Sequence, residues 1–168
     1  GLISQSLASM PSFFSSTTII IIGGLFAVLG ATQEATQVVR EIPFAARTSM
    51  LVFDLKVLVL IGIFVYAFFR FTWSMRQNTF VSLVIASMPP PSEFEDDAQK
   101  REQYATRAGR LAGLAAETFN DGLRAYYFAF AVMAWFFSPF ALMASTAFVV
   151  VILYSREFRS EVLALLNA

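Results

Sequence analysis

The sequence predicts an all-α integral membrane protein with four transmembrane helices, named A to D, and additional cytoplasmic amphipathic helices. Three observations support this fold class. The chain has 168 residues, of which 57% are hydrophobic, and 19 are Phe. It carries no charged side chain between Arg124 and Arg156. Because a soluble domain of this size has too little interior to bury such a run, the run indicates a bilayer.

The composition excludes several functional classes. The chain contains no Cys and no His, which excludes disulfides, Cys/His zinc sites, iron–sulfur clusters and histidine-ligated haem. The commonest general base is excluded as well. We therefore expect no enzymatic activity, no catalytic residue, no metal and no cofactor. The 12 basic and 12 acidic side chains balance, which argues against nucleic acid as a partner because such binding needs a basic surface.

Helix A is predicted over residues 13–31, an uncharged stretch about as long as one membrane span. Within it Gly23, Ala27 and Ala31 recur every four residues and form a smooth face that another helix can approach closely. We expect Gly23 and Ala27 to pack within the chain, with a specific dimer seam as the alternative. The polar connection that follows is predicted to hold a short helix over residues 33–41.

Helix B is predicted over residues 51–73, with Asp54 and Lys56 near one end and Arg70 near the other. Side chains two residues apart do not face each other on a helix, so Asp54 and Lys56 each need another partner. Asp54 lies too near the helix end to favour a proton or ion relay, which would prefer an acid near the midplane. After Arg70 apolar residues recur every three to four positions, which predicts a separate interfacial helix over residues 74–88, lying along the membrane surface or packed on helix ends.

A cytoplasmic helix is predicted over residues 93–117, after three consecutive prolines and a capping box at Ser92–Glu95. Small and apolar residues recur along it at helical spacing and predict a packed face. The small residues expected in helix packing are Ala105, Ala108, Gly109 and Ala112. We expect this helix to continue directly into helix C.

Helices C and D are predicted over residues 118–137 and 139–158, as a hairpin. The uncharged run Ala125–Ser155 would measure about 46 Å as one straight helix, which exceeds the hydrocarbon core of about 30 Å. Ser138-Pro139 lies near its middle, and proline favours a helix end there because it lacks a backbone donor. The alternative is one kinked helix, since membranes tolerate proline kinks.

The distribution of cations predicts the orientation of the chain. With the hairpin, one side of the membrane holds nine cations: Arg70, Arg76, Lys100, Arg101, Arg107, Arg110, Arg124, Arg156 and Arg159. The other side holds three, namely Arg40, Arg47 and Lys56. A single kinked helix would change this ratio to seven against five. Because positive residues favour the cytoplasmic side, the hairpin predicts a multi-pass protein of the bacterial inner membrane with a cytoplasmic C-terminus.

Four strings are the most distinctive parts of the sequence: FFSSTTIIIIGG at 13–24, YAFFRFTWSMRQN at 66–78, FNDGLRAYYFAFA at 119–131 and LYSREFRS at 153–160. Together they resemble domain-of-unknown-function family 599, multi-pass membrane proteins of bacteria and plants, over nearly the whole chain. The resemblance implies a four-helix membrane protein without an established activity, so it transfers no catalytic residue. The family pattern begins with a further hydrophobic helix, and that helix is missing here.

Charged and polar residues concentrate at the predicted cytoplasmic boundary, and we expect them to bind lipid phosphates or a partner subunit. The alternative is that these residues satisfy one another and anchor helix ends. The residues are Arg70, Trp73, Arg76, Gln77, Asp121, Arg124, Arg156 and Arg159.

No constellation typical of catalysis occurs, and the small size and many aromatic residues favour a non-catalytic accessory or assembly subunit of a larger inner-membrane complex. The expected partners are membrane lipids and other integral membrane subunits, with a homo-oligomer as a further option. The alternative function is a small multi-pass transporter or channel, which needs polar groups at mid-depth. For such a pathway helices A and D offer only a few hydroxyls: Thr17, Thr18, Ser145 and Thr146.

Overall fold

The computed structural model describes residues 2–42, 49–89 and 98–158, with side chains from residue 9 in the first range and from residue 99 in the third. Within these ranges the chain is all-helical, which confirms the predicted fold class. The elements are α1 (Leu2–Gly30), α2 (Thr32–Glu41), α3 (Met50–Ala86), α4 (Ala98–Met133) and α5 (Pro139–Phe158), with a 3-10 turn at Ala134–Phe136 between α4 and α5.

Three helices are long and apolar enough to cross a membrane, judged by length and composition over the described residues. They are Ser9–Gly30, Met50–Ala86 and Pro139–Phe158. The end of α4, where helix C was predicted, is not among them. Asp121 and Arg124 lie in that part of α4, and the uncharged helix after them extends only to Met133. The structure therefore supports a multi-pass membrane protein with three candidate spans, and a fourth span stays a prediction.

The predicted helix B and interfacial helix are one continuous helix, α3, of 37 residues. The predicted boundary after Trp73 is therefore wrong. The change of pattern there is a change of side-chain polarity, and it does not interrupt the backbone because neither Gly nor Pro occurs between residues 63 and 88. A helix is not forced to end at a change of side-chain polarity where no helix-breaking residue occurs.

The short helix predicted after helix A is confirmed as α2, Thr32–Glu41. The cytoplasmic helix and helix C are continuous in α4, as expected, although the capping box and residues 93–97 lie outside the described residues. Helix D was predicted over the range that α5 covers, residues 139–158.

The C–D hairpin is present, which excludes the kinked single helix. Ser145 of α5 donates to the backbone carbonyl of Ala131 in α4 over 3.0 Å. Near the other end of α5, Arg124 of α4 contacts Glu157 at 2.7 Å. Contacts between residues 14 and then 33 positions apart require that α5 runs antiparallel to the end of α4.

The turn of this hairpin follows from local chemistry. Ser138 precedes α5 and its hydroxyl oxygen accepts a hydrogen bond from the Ala141 amide at 3.0 Å, which is the geometry of an N-cap. Pro139 occupies the first helical position, where its fixed φ suits the helix and its missing N–H costs nothing to α5. The dipeptide thus ends one helix and begins the next.

Contacts divide the chain into two compact units. Unit 1 comprises Gly1–Ile20 and Tyr66–Leu123, and unit 2 comprises Ile21–Val65 and Arg124–Ala168. Unit 2 has an apolar core in which buried side chains of α3 pack against α1, α2, the end of α4 and the 3-10 turn. The buried members of this core are Phe53, Val57, Leu60, Ile61, Phe64 and Ala129.

Unit 1 is built around three aromatic rings from three helices. The Phe71 ring centroid lies 5.3 Å from that of Phe14 and 5.5 Å from that of Phe119. Gly122 lies against the same ring. A Cβ at this position would lie 2.5 Å from a carbon of the Phe71 ring, which is too close. Phe71 is fully buried, so α4 can approach α3 this closely only where it carries glycine.

Candidate functional site

Lys56 is a buried cation in unit 2, with 2% of its surface exposed. Its Nζ donates to the backbone carbonyl oxygen of Trp135 over 3.0 Å. The ring centroids of Trp135 and Phe136 lie 5.3 and 5.5 Å from Nζ, within the range of cation–π attraction. Among the described residues no carboxylate forms an ion pair with it. The cost of burying this charge is therefore offset by one carbonyl dipole and two ring faces.

Pro139 explains why Lys56 is needed at this place. In a continued α-helix the Trp135 carbonyl would accept a hydrogen bond from the N–H four residues later, which is position 139. Proline has no N–H, so the turn leaves this carbonyl without its regular partner. Lys56 supplies the missing donor from α3. The negative end of the α4 helix dipole also favours a cation here.

Asp54 also has a partner other than Lys56, as the spacing predicted. The Thr32 hydroxyl lies 2.7 Å from Asp54 Oδ1 and 2.8 Å from the Leu29 carbonyl oxygen. A hydroxyl carries one hydrogen, so it donates fully to only one of these acceptors at a time. We favour Asp54, because a hydrogen bond to a carboxylate is the stronger of the two. Asp54 thereby ties the start of α3 to the start of α2.

The main charged contact of unit 1 joins α3 and α4. Arg70 Nη2 donates to Asp121 Oδ2, and the two side chains are 32% and 22% exposed. The Arg70 guanidinium also lies 5.9 Å from the centre of the Tyr66 ring. Opposite charges in contact neutralise each other, so this pair is suited to holding two helices together in a bilayer.

Polar groups continue along α3 beside this ion pair. The Ser74 hydroxyl is buried and donates to the Ala115 carbonyl oxygen over 2.8 Å. Within the described part of the chain, two buried atoms have no hydrogen-bond partner: Arg70 Nε and Gln77 Oε1. Arg70, Ser74 and Gln77 recur at helical spacing and share one face of α3. Unit 1 therefore contains a polar seam on the α3 face that meets α4.

The arginines near the ends of α4 and α5 have partners within unit 2. Arg124 Nη2 lies 2.8 and 2.7 Å from the two carboxylate oxygens of Glu157. Arg156 Nη1 donates to the Tyr127 hydroxyl over 2.8 Å. For these two arginines and for Arg70, the structure has the arrangement predicted as the alternative, in which boundary residues satisfy one another. Arg159 lies outside the described residues.

Trp73 and Arg76 are both exposed, as Arg156 is. The Arg76 guanidinium lies 5.8 Å from the centre of the Phe80 ring, one helical turn further along α3. Among the described residues it has no carboxylate partner.

The small residues predicted for helix packing are mostly exposed. Around a Cβ placed on Gly23 or Gly109, no neighbouring atom of the described residues lies within 4 Å. Ala27, Ala105 and Ala112 are also exposed, and Ala108 is half-buried. Among the described residues nothing packs against Gly23 and Ala27, so their role in helix packing stays a prediction. α1 packs on the core of unit 2 through larger side chains of its opposite face: Leu25, Val28 and Leu29.

Sequence reasoning missed two features of the site. It placed Lys56 near a helix end without a partner, although Pro139 was a signal that the Trp135 carbonyl would need a donor. It also missed the buried hydroxyls that line unit 1, which are Ser15, Thr18, Ser74 and Thr118. Nothing in local spacing distinguishes these from hydroxyls that face lipid.

The contacts of the two units serve helix packing and charge neutralisation, and they do not form a recognisable catalytic site. The described residues hold no cluster of three or more His, Cys, Asp or Glu side chains that could bind a metal ion. The protein family described as "Protein of unknown function, DUF599" matches residues 2–162, and the chain belongs to this family, as its distinctive strings predicted. No curated protein and no solved structure matches the chain.

Proposed function

We propose that this chain is a non-catalytic accessory or assembly subunit of a larger protein complex in the bacterial inner membrane. One observation carries the proposal. The described polar groups of its apolar helices bond mostly within the chain, whereas a smooth face of α1 remains uncovered. That face is defined by Gly23, Ala27 and Gly30, all exposed.

The hydrogen bonds of the hydroxyl groups within the chain argue against a transport pathway. The hydroxyls of Thr17 and Thr18 donate back to carbonyls of their own helix, at 2.9 and 2.5 Å. The Ser145 hydroxyl lies 3.0 Å from the carbonyl oxygens of both Ala131 and Leu142 and donates to one of them at a time. Groups bonded in this way do not replace the hydration shell of a substrate.

The uncovered half favours a protein partner. Without a hydrophobic driving force between helices in lipid, association depends on close approach, which small residues permit. Gly23, Ala27 and Gly30 follow one another at spacings of four and three residues and thus form one continuous strip. A second helix can lie against this strip at short distance.

Native co-purification tests this proposal. A tagged chain, extracted with a mild detergent, is expected to retain a membrane partner in fixed stoichiometry. Gly23→Leu is expected to abolish retention without lowering thermal stability of the isolated chain, because the site has free space. Ile19→Leu, an exposed change on the same helix, is the control and is expected to retain the partner. Equal retention by wild type and Gly23→Leu would exclude this face as the assembly surface.

A transporter remains the second candidate because of Lys56. An ionisable side chain buried inside a candidate span is by default a functional group in membrane proteins. Reconstitution of the purified chain in liposomes separates the two functions. Flux of any ion or solute that is lost in Lys56→Met would favour transport, and a chain that is silent alone but bound to a partner favours assembly.

We also propose that α4 crosses the bilayer beside α5, with the turn at Ser138 outside and the N-terminal half of α4 in the cytoplasm. The cation count supports this orientation. The chain has no native Cys, so single cysteines at Phe140 and Gln103 report sidedness cleanly. Both positions are exposed. An impermeant maleimide is expected to label position 140 in intact cells and position 103 only after permeabilisation, and the reverse order would overturn the orientation.

A further inference from the structure

Arg76 is the one predicted boundary arginine that the described part of the chain leaves without a partner. Arg70, Arg124 and Arg156 each have a carboxylate or hydroxyl partner. Arg76 is exposed and has only the Phe80 ring beside it, at 5.8 Å. A guanidinium stacked on a ring keeps its five N–H donors available at its edge.

The residues around Arg76 form an exposed aromatic face on α3 within unit 1. Phe69, Trp73, Arg76 and Phe80 follow at spacings of four, three and four residues and therefore share one side of the helix. All three aromatic side chains are exposed, Trp73 by 50%. A face with one cation among aromatic side chains is suited to a partner that has both an apolar part and an anionic group.

The length of α3 places this cation at the depth of lipid headgroups. Arg76 lies 26 residues after Met50, the first residue of α3, which corresponds to about 39 Å of helix. The hydrocarbon core and one headgroup layer together measure about 36 Å. If the start of α3 lies at one boundary, a slightly tilted α3 brings Arg76 to the phosphates of the other leaflet.

We propose that this face binds an anionic phospholipid, with the phosphate at Arg76 and an acyl chain along Trp73 and Phe69. This deepens the proposed membrane role and rests on α3, one of the candidate spans, crossing the bilayer. The arginine donates to the phosphate oxygens, and Phe80 holds the guanidinium plane in place. A zwitterionic lipid is disfavoured because among the described residues no carboxylate stands beside Arg76 to receive its positive headgroup.

Trp73 provides a reporter one turn from Arg76. The chain has two Trp residues, so Trp135→Phe leaves Trp73 as the sole tryptophan. The isolated full chain is reconstituted in phosphatidylcholine bilayers containing increasing fractions of lipid brominated on its acyl chains. Quenching of Trp73 by brominated phosphatidylglycerol, compared with brominated phosphatidylcholine, measures the relative occupancy of the site.

We expect phosphatidylglycerol to be preferred by about fivefold, the effect of about one cation at the membrane surface. Arg76→Gln is expected to reduce the preference to none, and Arg76→Lys to retain most of it. Arg110→Gln, an exposed arginine further along the chain, is the matched control and is expected to leave the preference unchanged. Since Arg76 is exposed, thermal unfolding of the Arg76→Gln variant should match that of the parent.

Three outcomes would overturn the proposal. These are an equal preference for both lipids in the parent, a preference that survives Arg76→Gln, and a loss that Arg110→Gln reproduces. Absence of quenching by either lipid would instead show that Trp73 lies outside the bilayer, which contradicts the placement of α3. Because only the isolated chain is used, a failed search for a protein partner leaves this measurement unaffected.

Discussion

Each unit holds a cation, half-buried in unit 1 and buried in unit 2, and the two units do so in different ways. In unit 1 the Arg70 guanidinium contacts the Asp121 carboxylate, so the two charges cancel locally. In unit 2 the Lys56 Nζ donates to a backbone carbonyl and lies over two ring faces. The comparison shows that a helix bundle can accommodate a cation beside a backbone carbonyl at a helix end that lacks a donor, as well as beside a carboxylate.

The cores of the units differ in the same sense. Unit 2 has an apolar centre of Phe53, Val57 and Ile61, and its buried polar side chains among the described residues are Thr36 and Lys56. Unit 1 alternates aromatic rings with buried hydroxyls such as Thr18 and Ser74, whose hydrogen bonds end on backbone carbonyls. We therefore expect the largest loss of stability from substitution of Lys56, whose contact with the Trp135 carbonyl has no substitute. Substitutions in unit 1, where several contacts join the same helices, should cost less.

Lys56→Met is expected to destabilise the chain by about 1.5–3 kcal/mol, the range for losing a hydrogen bond to a charged group. The Trp135 carbonyl would then be buried without a donor. Unfolding of the purified protein by heat or by a denaturing detergent measures the loss. Equal stability of Lys56→Met and the parent would show that the Trp135 carbonyl does not need this donor. Leu55→Met, at an exposed neighbour, is the control.

Gly122→Ala is expected to destabilise unit 1 by about 1–3 kcal/mol, because its Cβ would overlap the buried Phe71 ring. Gly113→Ala on the same helix has no described neighbour within 4 Å and should instead be neutral or stabilising, by up to about 1 kcal/mol. Opposite signs for the two variants in one thermal unfolding series would confirm the close approach of α3 and α4. Equal effects would refute it.

Asp121→Asn is expected to cost about 1 kcal/mol, since the Arg70–Asp121 pair is partly open to solvent and its worth is limited by screening. In an Arg70→Gln background the same change should cost less, because the pair is already broken. Additive losses in this double-mutant cycle would mean that the two charges do not interact.

Glu157→Gln is expected to change stability by no more than about 0.5 kcal/mol, since both partners of the Arg124–Glu157 pair are exposed. High salt should remove whatever effect remains. A larger loss would indicate that this pair lies in an apolar environment. The contribution of this exposed pair to stability would then be closer to that of the buried Lys56.

Several elements could be predicted from the sequence because their causes are local. Ser138-Pro139 contains both a cap and a helix-starting proline, so the hairpin and the start of α5 follow from two residues. The polar connection after helix A was likewise predicted to hold a short helix, which is α2. The break expected after Trp73 was wrong because periodicity reports which face of a helix is polar, and a change of polarity alone does not interrupt the backbone.

The sequence by itself determined that the chain is helical, apolar enough to cross a membrane several times, and free of Cys and His chemistry. It also determined that Asp54 and Lys56 could not pair with each other. Only the tertiary structure decided which partners they took, which arginines were neutralised, and which face of α1 remained uncovered. These contacts join residues far apart in the chain, such as Lys56 with Trp135 and Arg70 with Asp121, and side-chain spacing along one helix carries no information about what packs against it.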